Sequence, residues 1–393
     1  MMKKVLALAL AGTLALAALS GCGSNSNSGG SATTTDTIKV GINMELSGGV
    51  ASYGKQELEG IKLALEQINA AGGIKGKQVS LVEYDNKSEP AESTTLASRL
   101  IEQDKVIAII GPATSGAFKA QIPVANKGKV AVVAPSATAD DVLVDAKGNV
   151  QEYAFRICFG DTFQGVTMGN FAADKLSAKT AVVYKDSSSD YAKGLAENFS
   201  ETFTAKGGTI VAEEAYVDGD TDFNAVLTSL KGKEFDVMYL PGYYEEVGLI
   251  VKQARALGIT QPILGADGYE AVELIDLAGK DNLNDVYFTN HYSSLDQDPV
   301  VIKFIEDYKA KYSADPSSFN AMGYDAANFL FDAINRAEEL TAESVQKAMA
   351  ATDGFVGVTG KIKVNEKHEA VKSIVVIEMQ NGEQVKSEKV DVD

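Results

Sequence analysis

Short apolar runs alternate along this chain with segments whose apolar residues recur at helical spacing. One helical series runs over 58–68 and stops at the pair Gly72–Gly73, a C-terminal capping signal. The predicted strands are 38–42, 79–82, 106–110, 130–133, 181–184, 209–217, 236–240, 262–265, 286–289 and 374–379. The predicted helices are 58–68, one opening at Pro90, 161–175, 191–206, 222–231, 245–257, 298–312 and 319–338. Wholly apolar β-branched runs are typical of strands buried in a parallel sheet, so the alternation predicts an α/β protein.

The predicted elements fall into two series, one before residue 160 and one from 161 onward. After the strand over 286–289 come two helices that the first series could accept, and the strand over 374–379 leads into an Asn381–Gly382 hairpin signal. Each series has the order expected of a parallel sheet covered by helices. We therefore predict two lobes.

Two successive strands end in hydroxyl-rich loops. The first breaks at Gly111–Pro112 into a loop with Ser115, and the second breaks at Pro135 into a loop with Ser136 and Thr138. Parallel sheets bind ligands at the carboxyl ends of their strands, where hydroxyls and free helix N-terminal amides favour an anion. A carboxylate is the simplest guest, and ordinary N-caps and turns are the alternative.

Aromatic side chains and one acid follow other predicted strands in the same way. Tyr53, Tyr191 and Tyr243 each stand in a loop after a strand, and so does Asp267. One carboxylate facing two hydroxyl loops suits a zwitterion. The alternative interpretation is that the tyrosines are surface packing and that Asp267 forms a turn with Gly268.

The first residues have the pattern of an export leader. A short positive segment and an apolar stretch over 5–19 precede Leu19-Ser20-Gly21-Cys22, which has the form of a lipoprotein cleavage box. We predict a signal peptide over 1–21, lipidation of Cys22 and a flexible tether over 22–36. The folded part would then lie outside the cytoplasm, anchored by lipid to the outer face of a bacterial cell membrane. A plain secretory leader or an uncleaved anchor is the alternative.

Composition and motifs argue against several functions. The 393 residues are 45% hydrophobic and 23% charged, which is a globular composition. The net charge of −18, or −20 once Lys3 and Lys4 leave with the leader, argues against nucleic acid as a partner. With two histidines, His291 and His368, and no G-x-S-x-G or Cys-x-x-Cys motif, we expect no catalytic residue, cofactor or metal. Cys158 lies in an apolar segment, which predicts a buried, inert thiol.

Several segments together resemble a known family. They are Leu46-Ser47-Gly48, Tyr53-Gly54, 68–74, 111–116, 135–139, 186–194, Gly242-Tyr243 and Gln253-Ala254-Arg255. The set is similar to the leucine/isoleucine/valine-binding proteins of ABC importers over essentially the whole mature chain. The resemblance implies a type I periplasmic-binding-protein fold, in which a three-crossing hinge joins two doubly wound lobes and the ligand lies in the cleft. It also implies a branched-chain L-amino acid as ligand, and an ABC permease and its ATPase as partners.

With that fold, lobe 1 is 37–160 plus 290–371 and lobe 2 is 161–289 plus 372–393, and we expect a monomer. The resemblance carries the α-carboxylate contacts onto Ser115 and Thr138, with backbone help at Ser136. It places the ammonium-binding acid at Asp267. It carries the side-chain and cover contacts onto Tyr53, Tyr191, Tyr243, Phe163 and Phe319.

This chain departs from the enteric members at positions that bear on the ligand. Those proteins have Glu where this chain has Asp267, and a small apolar residue in place of Ser136. Their disulfide would require cysteines at Ser88 and Thr114, so it is not expected here. Two other functions remain open from the sequence: a receptor of the same fold that feeds a signalling partner, and a secreted hydrolase.

Overall fold

A five-stranded parallel sheet, sheet 1, forms the centre of one lobe in residues 37–391, the part of the chain that this computed structural model describes. Its strands are β1 (Ile38–Met44), β2 (Val79–Asp85), β3 (Ala108–Ile110), β4 (Ala131–Ala134) and β5 (Ala154–Arg156). They lie in the order β2-β1-β3-β4-β5, and each adjacent pair is parallel. The apolar runs of β3 and β4 are wholly buried, as expected for central strands of such a sheet.

Helices from two separate parts of the chain pack around sheet 1. They are α1 (Ala51–Ala70), α2 (Pro90–Arg99), α3 (Ser115–Gly128), α9 (Pro299–Tyr312), α10 (Ser318–Arg336) and α11 (Ala342–Ala350). α1 and α10 pack together closely because each presents a glycine at the contact. A Cβ added at Gly60 would lie 2.0 Å from the Asn320 carbonyl oxygen, and one at Gly323 would lie 2.1 Å from the Glu57 carbonyl oxygen. Only glycine allows this approach.

A second sheet, sheet 2, has seven strands within residues 37–391. They are β6 (Thr180–Asp186), β7 (Thr209–Tyr216), β8 (Val237–Tyr239), β9 (Ile263–Gly265), β10 (Val286–Asn290), β14 (Ile374–Gln380) and β15 (Glu383–Val390). The order is β15-β14-β10-β9-β8-β6-β7. Strands β6 to β10 pair in parallel, whereas β14 pairs antiparallel with both β10 and β15. The accompanying helices are α4 (Asp161–Asn170), α5 (Asp190–Ala205), α6 (Asn224–Lys231), α7 (Tyr244–Ala256) and α8 (Val272–Ala278).

The chain passes between the two sheets three times. The crossings are 157–160 between β5 and α4, 291–298 between β10 and α9, and 372–373 just before β14. A small antiparallel sheet of β11 (Asp353–Gly357), β12 (Gly360–Val364) and β13 (Ala370–Val371) precedes the third crossing. We call sheet 1 with its helices lobe 1, and sheet 2 with its helices lobe 2.

The predicted α/β architecture is confirmed, and the long periodic helices and apolar strands appear where the pattern indicated. Sequence reasoning missed β5, α8, α11 and the strands of the small sheet. These elements are short, and the strands among them lack a run of apolar residues long enough to stand out from loop sequence. No helix within 37–391 is long and apolar enough to cross a membrane. The predicted leader, tether and Cys22 lie outside the described residues.

Candidate ligand-binding site

Loops at the carboxyl ends of both sheets enclose a small cavity between the lobes, the interlobe cavity, with about 250 Å³ of empty space. Seven of the nine residues predicted to contact a ligand line it, and the backbone of Gly268 closes one side. The lining residues are Tyr53, Ala113, Thr114, Ser115, Ser136, Tyr191, Tyr243, Asp267, Gly268 and Phe319. Of the other two, Thr138 is fully buried and Phe163 lines a different cavity.

The two hydroxyl loops of lobe 1 are held together directly. The Ser115 hydroxyl, at the start of α3, accepts a hydrogen bond from the Ala139 amide at 3.0 Å. Thr138 is fully buried, and its backbone carbonyl accepts from the Asp161 amide at 2.9 Å. Its side-chain oxygen has no well-aligned hydrogen-bond partner within residues 37–391, although the buried carboxylate of Asp161 lies beside it. A buried hydroxyl without a well-aligned partner is costly, so Thr138 is a candidate to bind a polar group of a ligand.

The sequence predicts free helix N-terminal amides in the hydroxyl loop after β3. This prediction is wrong for two amides of that loop. The amides of Ala113 and Thr114 donate to the carboxylate of Glu45 at 2.9 and 3.1 Å, and the Thr114 hydroxyl donates to it at 2.7 Å. Burial raises the pKa of Glu45, while these three donors act in the opposite direction. An internal acid from the end of β1 therefore already occupies the place where the sequence had suggested a ligand anion.

Asp267 stands on a short turn after β9 and is buried by residues that fix both of its oxygens. Its Oδ1 accepts from the Tyr191 hydroxyl at 2.7 Å and from Gln164 Nε2 at 3.0 Å. Its Oδ2 lies 3.1 Å from His291 Nε2. Burial lowers the pKa of His291 to about 4, so at neutral pH this ring is uncharged and its Nε2–H donates to Asp267.

Gln164 and His291 escaped the sequence reasoning because nothing local marks them. Gln164 lies on the first turns of α4, and His291 lies in the second crossing. Glu57 did carry a signal: it stands four residues before Ile61 and thus on the apolar face of α1. A buried acid on an apolar helix face needs a polar partner, and the structure supplies Ser136.

Aromatic rings form the walls between the two polar ends of the cavity. Tyr53 stacks on Phe319 with ring centres 4.3 Å apart, and Tyr191 stacks on Tyr243 at 5.1 Å. Tyr53 also meets Tyr243 edge-on at 5.7 Å, which joins the two pairs across the lobes. The Tyr53 hydroxyl donates to the Gly268 carbonyl oxygen at 2.5 Å, a direct bond from α1 of lobe 1 to lobe 2. The interior is therefore apolar on its sides.

Phe163 is the predicted contact that the structure does not bring to the interlobe cavity. It lines a separate cavity beside the crossings, together with Arg156 and Lys372. Its ring meets Phe159 edge-on at 6.1 Å, and Phe159 stacks on His291 at 3.7 Å. Phe163 is thus linked to Asp267 through the rings of Phe159 and His291.

The arrangement suits binding rather than chemistry. No group of three or more His, Cys, Asp or Glu side chains within 37–391 is placed to hold a metal ion. Cys158 is buried as predicted, and burial raises the pKa of its thiol to about 12, so it stays protonated and unreactive. What remains is a closed space with hydroxyls at one end, a carboxylate at the other and aromatic rings between them.

A fold of two parallel-sheet lobes with a small polar-ended cavity between them defines a solute-binding protein. The family model described as periplasmic binding protein matches residues 37–384. The leucine-, isoleucine-, valine-, threonine- and alanine-binding protein of Pseudomonas aeruginosa is 30% identical over 331 residues, which cover 84% of this chain and 86% of that protein.

Two solved structures are closer in sequence. The branched-chain amino acid transporter substrate-binding protein of Streptococcus pneumoniae, in complex with isoleucine, is 42% identical with a TM-score of 0.86. A leucine-binding protein of Thermotoga maritima is 37% identical with a TM-score of 0.84. Each match covers 90% of this chain and 99% of the other. The chain belongs to the periplasmic binding protein family, whose members bind solutes outside the cytoplasm and are not enzymes.

Proposed function

We propose that this chain captures a branched-chain L-amino acid in the interlobe cavity and delivers it to an ABC importer. The observation that carries the proposal is the position of the two polar ends of the cavity on opposite lobes. Ser115 and Thr138 offer hydroxyls from lobe 1, and Asp267 offers a carboxylate from lobe 2. An α-amino acid between them would direct its carboxylate to the hydroxyls and its ammonium to Asp267.

The walls of the cavity support an aliphatic side chain. Tyr53, Phe319, Tyr191 and Tyr243 line the space with aromatic rings. Burial of methyl and methylene groups against such faces contributes about 0.8 kcal/mol per methylene. The isoleucine complex of the Streptococcus pneumoniae protein, at 42% identity, supports the same ligand class.

Thermal unfolding with added amino acids tests the ligand class. L-Leucine, L-isoleucine or L-valine at about 100 times the dissociation constant should add about 2.7 kcal/mol to the free energy of unfolding. D-Leucine is the matched control, because inversion at Cα separates the ammonium from Asp267 when the carboxylate and side chain are in place. If none of the three L-amino acids raises the melting temperature, or D-leucine does so equally, the proposal fails.

We propose lipid on Cys22 as the anchor that keeps the protein at the cell surface. The basis is the cleavage-box pattern Leu19-Ser20-Gly21-Cys22 in the sequence. Cys22→Ala should release the protein from membranes into the medium or the soluble fraction, with Cys158→Ala as the control that stays membrane-bound. Membrane retention of the Cys22→Ala protein would contradict the anchor.

An importer partner is tested by stimulation of its ATPase rather than by ligand binding. A permease reconstituted with its ATPase subunits should hydrolyse ATP faster when this protein and L-leucine are both present. Equal stimulation by the protein without L-leucine, or no stimulation when both are present, would argue against delivery.

A further inference from the structure

Glu57 is a fully buried acid beneath the cavity floor, at the contact of α1 with α10. Its Oε1 lies 2.5 Å from the hydroxyl oxygen of Ser136, and within 37–391 its Oε2 has no hydrogen-bond partner. The same Ser136 oxygen lies 3.0 Å from the backbone carbonyl oxygen of Ala113. The Ser136 hydroxyl therefore lies within hydrogen-bonding distance of two oxygen atoms.

The number of hydrogens available at Ser136 determines the protonation state of Glu57. Ser136 carries one hydroxyl hydrogen, and the Ala113 carbonyl can only accept. If Glu57 were ionised, two acceptors would compete for that hydrogen, and a buried charge would rest on an oxygen without a donor. If Glu57 is protonated, its O–H donates to Ser136 and the Ser136 O–H donates to Ala113. The protonated acid pairs Glu57 Oε1, the Ser136 hydroxyl oxygen and the Ala113 carbonyl oxygen in one chain, and it leaves Oε2 as a neutral acceptor in place of a buried charge.

The surroundings act in the same direction. The charged groups that face Glu57 are Glu45, at the end of β1, and Asp267, on lobe 2, and both are negative. On the α10 side the main chain of Glu57 approaches Gly323, which carries no charge. Burial raises the pKa of Glu57 well above its ordinary value and the two acids raise it further, whereas a Ser136 hydroxyl donating to the carboxylate acts in the opposite direction. Glu45, with three donors, is the contrasting case of an acid that only accepts.

We propose that Glu57 is a neutral, protonated carboxylic acid that positions Ser136 and keeps a second negative charge away from the anion-binding end of the cavity. The Ser136 hydroxyl hydrogen is then committed to Ala113. If the proposed function holds, the ligand carboxylate is bound by the Thr138 hydroxyl and by the main chain at Ser136, not by the Ser136 side chain. Glu57 is thus a positioning residue that acts through Ser136.

The protonation state can be read without any ligand. Infrared difference spectra of the ligand-free wild-type protein against Glu57→Gln at pH 7 should show the carbonyl stretch of one protonated carboxylic acid, lost in the variant. Glu45→Gln should retain this band. If the wild-type minus Glu57→Gln spectrum shows only ionised carboxylate bands, the proposal is overturned.

Thermal unfolding provides a second reading that does not depend on function. Glutamine can replace the donor at 57, whereas at 45 its NH2 group would face at least one of the three donors that Glu45 accepts from. Glu45→Gln should therefore lower the melting temperature by about 4 °C or more at pH 7, and Glu57→Gln should not lower it. Because folded Glu57 holds a proton that the unfolded chain releases above about pH 4.5, wild type loses stability relative to Glu57→Gln as the pH rises from there. Equal losses in the two variants would contradict a neutral Glu57.

Ligand titration tests the consequence for the site. L-Leucine affinity at pH 7 should stay within about threefold of wild type for Glu57→Gln, and fall by about tenfold or more for Thr138→Val. A tenfold loss in Glu57→Gln would mean that a charge at 57 is needed, against the proposal. If wild type binds no branched-chain amino acid, the proposed function fails while the infrared band still decides the state of Glu57.

Discussion

Three residues determine how Asp267 can act, because Tyr191, Gln164 and His291 hold its two oxygens in one orientation. These donors fix the carboxylate of Asp267 at the cavity wall. Neutral His291 adds no charge of its own, so the negative charge of Asp267 remains available to an ammonium group.

Asp267→Asn should weaken L-leucine binding by about a hundredfold, whereas Tyr243→Phe should weaken it by less than tenfold. The first change leaves a desolvated ammonium without its counter-charge, and the second removes one neutral hydroxyl. Isothermal titration calorimetry on both variants measures the difference. Equal losses would remove Asp267 from its assigned role.

His291 should make stability depend on pH. Its folded pKa of about 4 lies below the ordinary 6.5, so the unfolded chain binds more protons between these values. The contribution of the neutral ring is complete above about pH 6.5 and is lost as the pH falls through about 4. His291→Gln keeps a donor near Asp267 but does not titrate, so its melting temperature should fall less between pH 6.5 and 4.5. Parallel curves for the two proteins would contradict this interpretation.

At the scale of elements, the close packing of α1 against α10 holds the cavity floor. The interface brings Tyr53 onto Phe319 and places Glu57 beneath Ser136. It joins two helices that are far apart in sequence: the bond from Asn320 Nδ2 to the Glu59 carboxylate links residues 261 positions apart. The glycines at this contact are therefore structural requirements of the binding site.

Gly60→Ala should destabilise the protein by about 1–3 kcal/mol or more, because the new Cβ would lie 2.0 Å from a backbone oxygen of α10. Gly116→Ala is the matched control in α3: a Cβ there meets nothing within 4 Å. Inside a helix such a change adds about 0.5–1 kcal/mol of stability. Urea unfolding of both variants measures the two effects, and a neutral Gly60→Ala would show that the helices can separate without cost.

At the scale of the whole molecule, ligand binding and closure depend on the same residues. The Tyr53 hydroxyl bonds to Gly268, and the Ser52 hydroxyl donates to Glu273 at 2.6 Å, both between lobes. A ligand that touches Thr138 and Asp267 at once adds to these contacts only when the lobes are together. The three short crossings allow rotation while they prevent the lobes from drifting apart.

We expect the lobes to rotate apart in the ligand-free protein and to close on L-leucine, because the ligand binds the closed form better. Small-angle X-ray scattering should show a smaller radius of gyration at saturation than without ligand. D-Leucine at the same concentration is the control. An unchanged radius at demonstrated occupancy would indicate a cleft that is closed beforehand.

The α/β class, the hydroxyl loops, the strand-end tyrosines and Asp267 could all be predicted from local sequence. Each depends on local periodicity or on the rule that parallel strands present their carboxyl ends at one edge. Only the folded structure shows which group bonds to the amides of the first hydroxyl loop and which groups surround Asp267. Glu45 on the loop amides, Glu57 beneath Ser136 and His291 beside Asp267 are contacts between residues far apart in sequence. Local patterns cannot encode such contacts, because which donor meets a buried carboxylate is set by the packing of lobes and crossings.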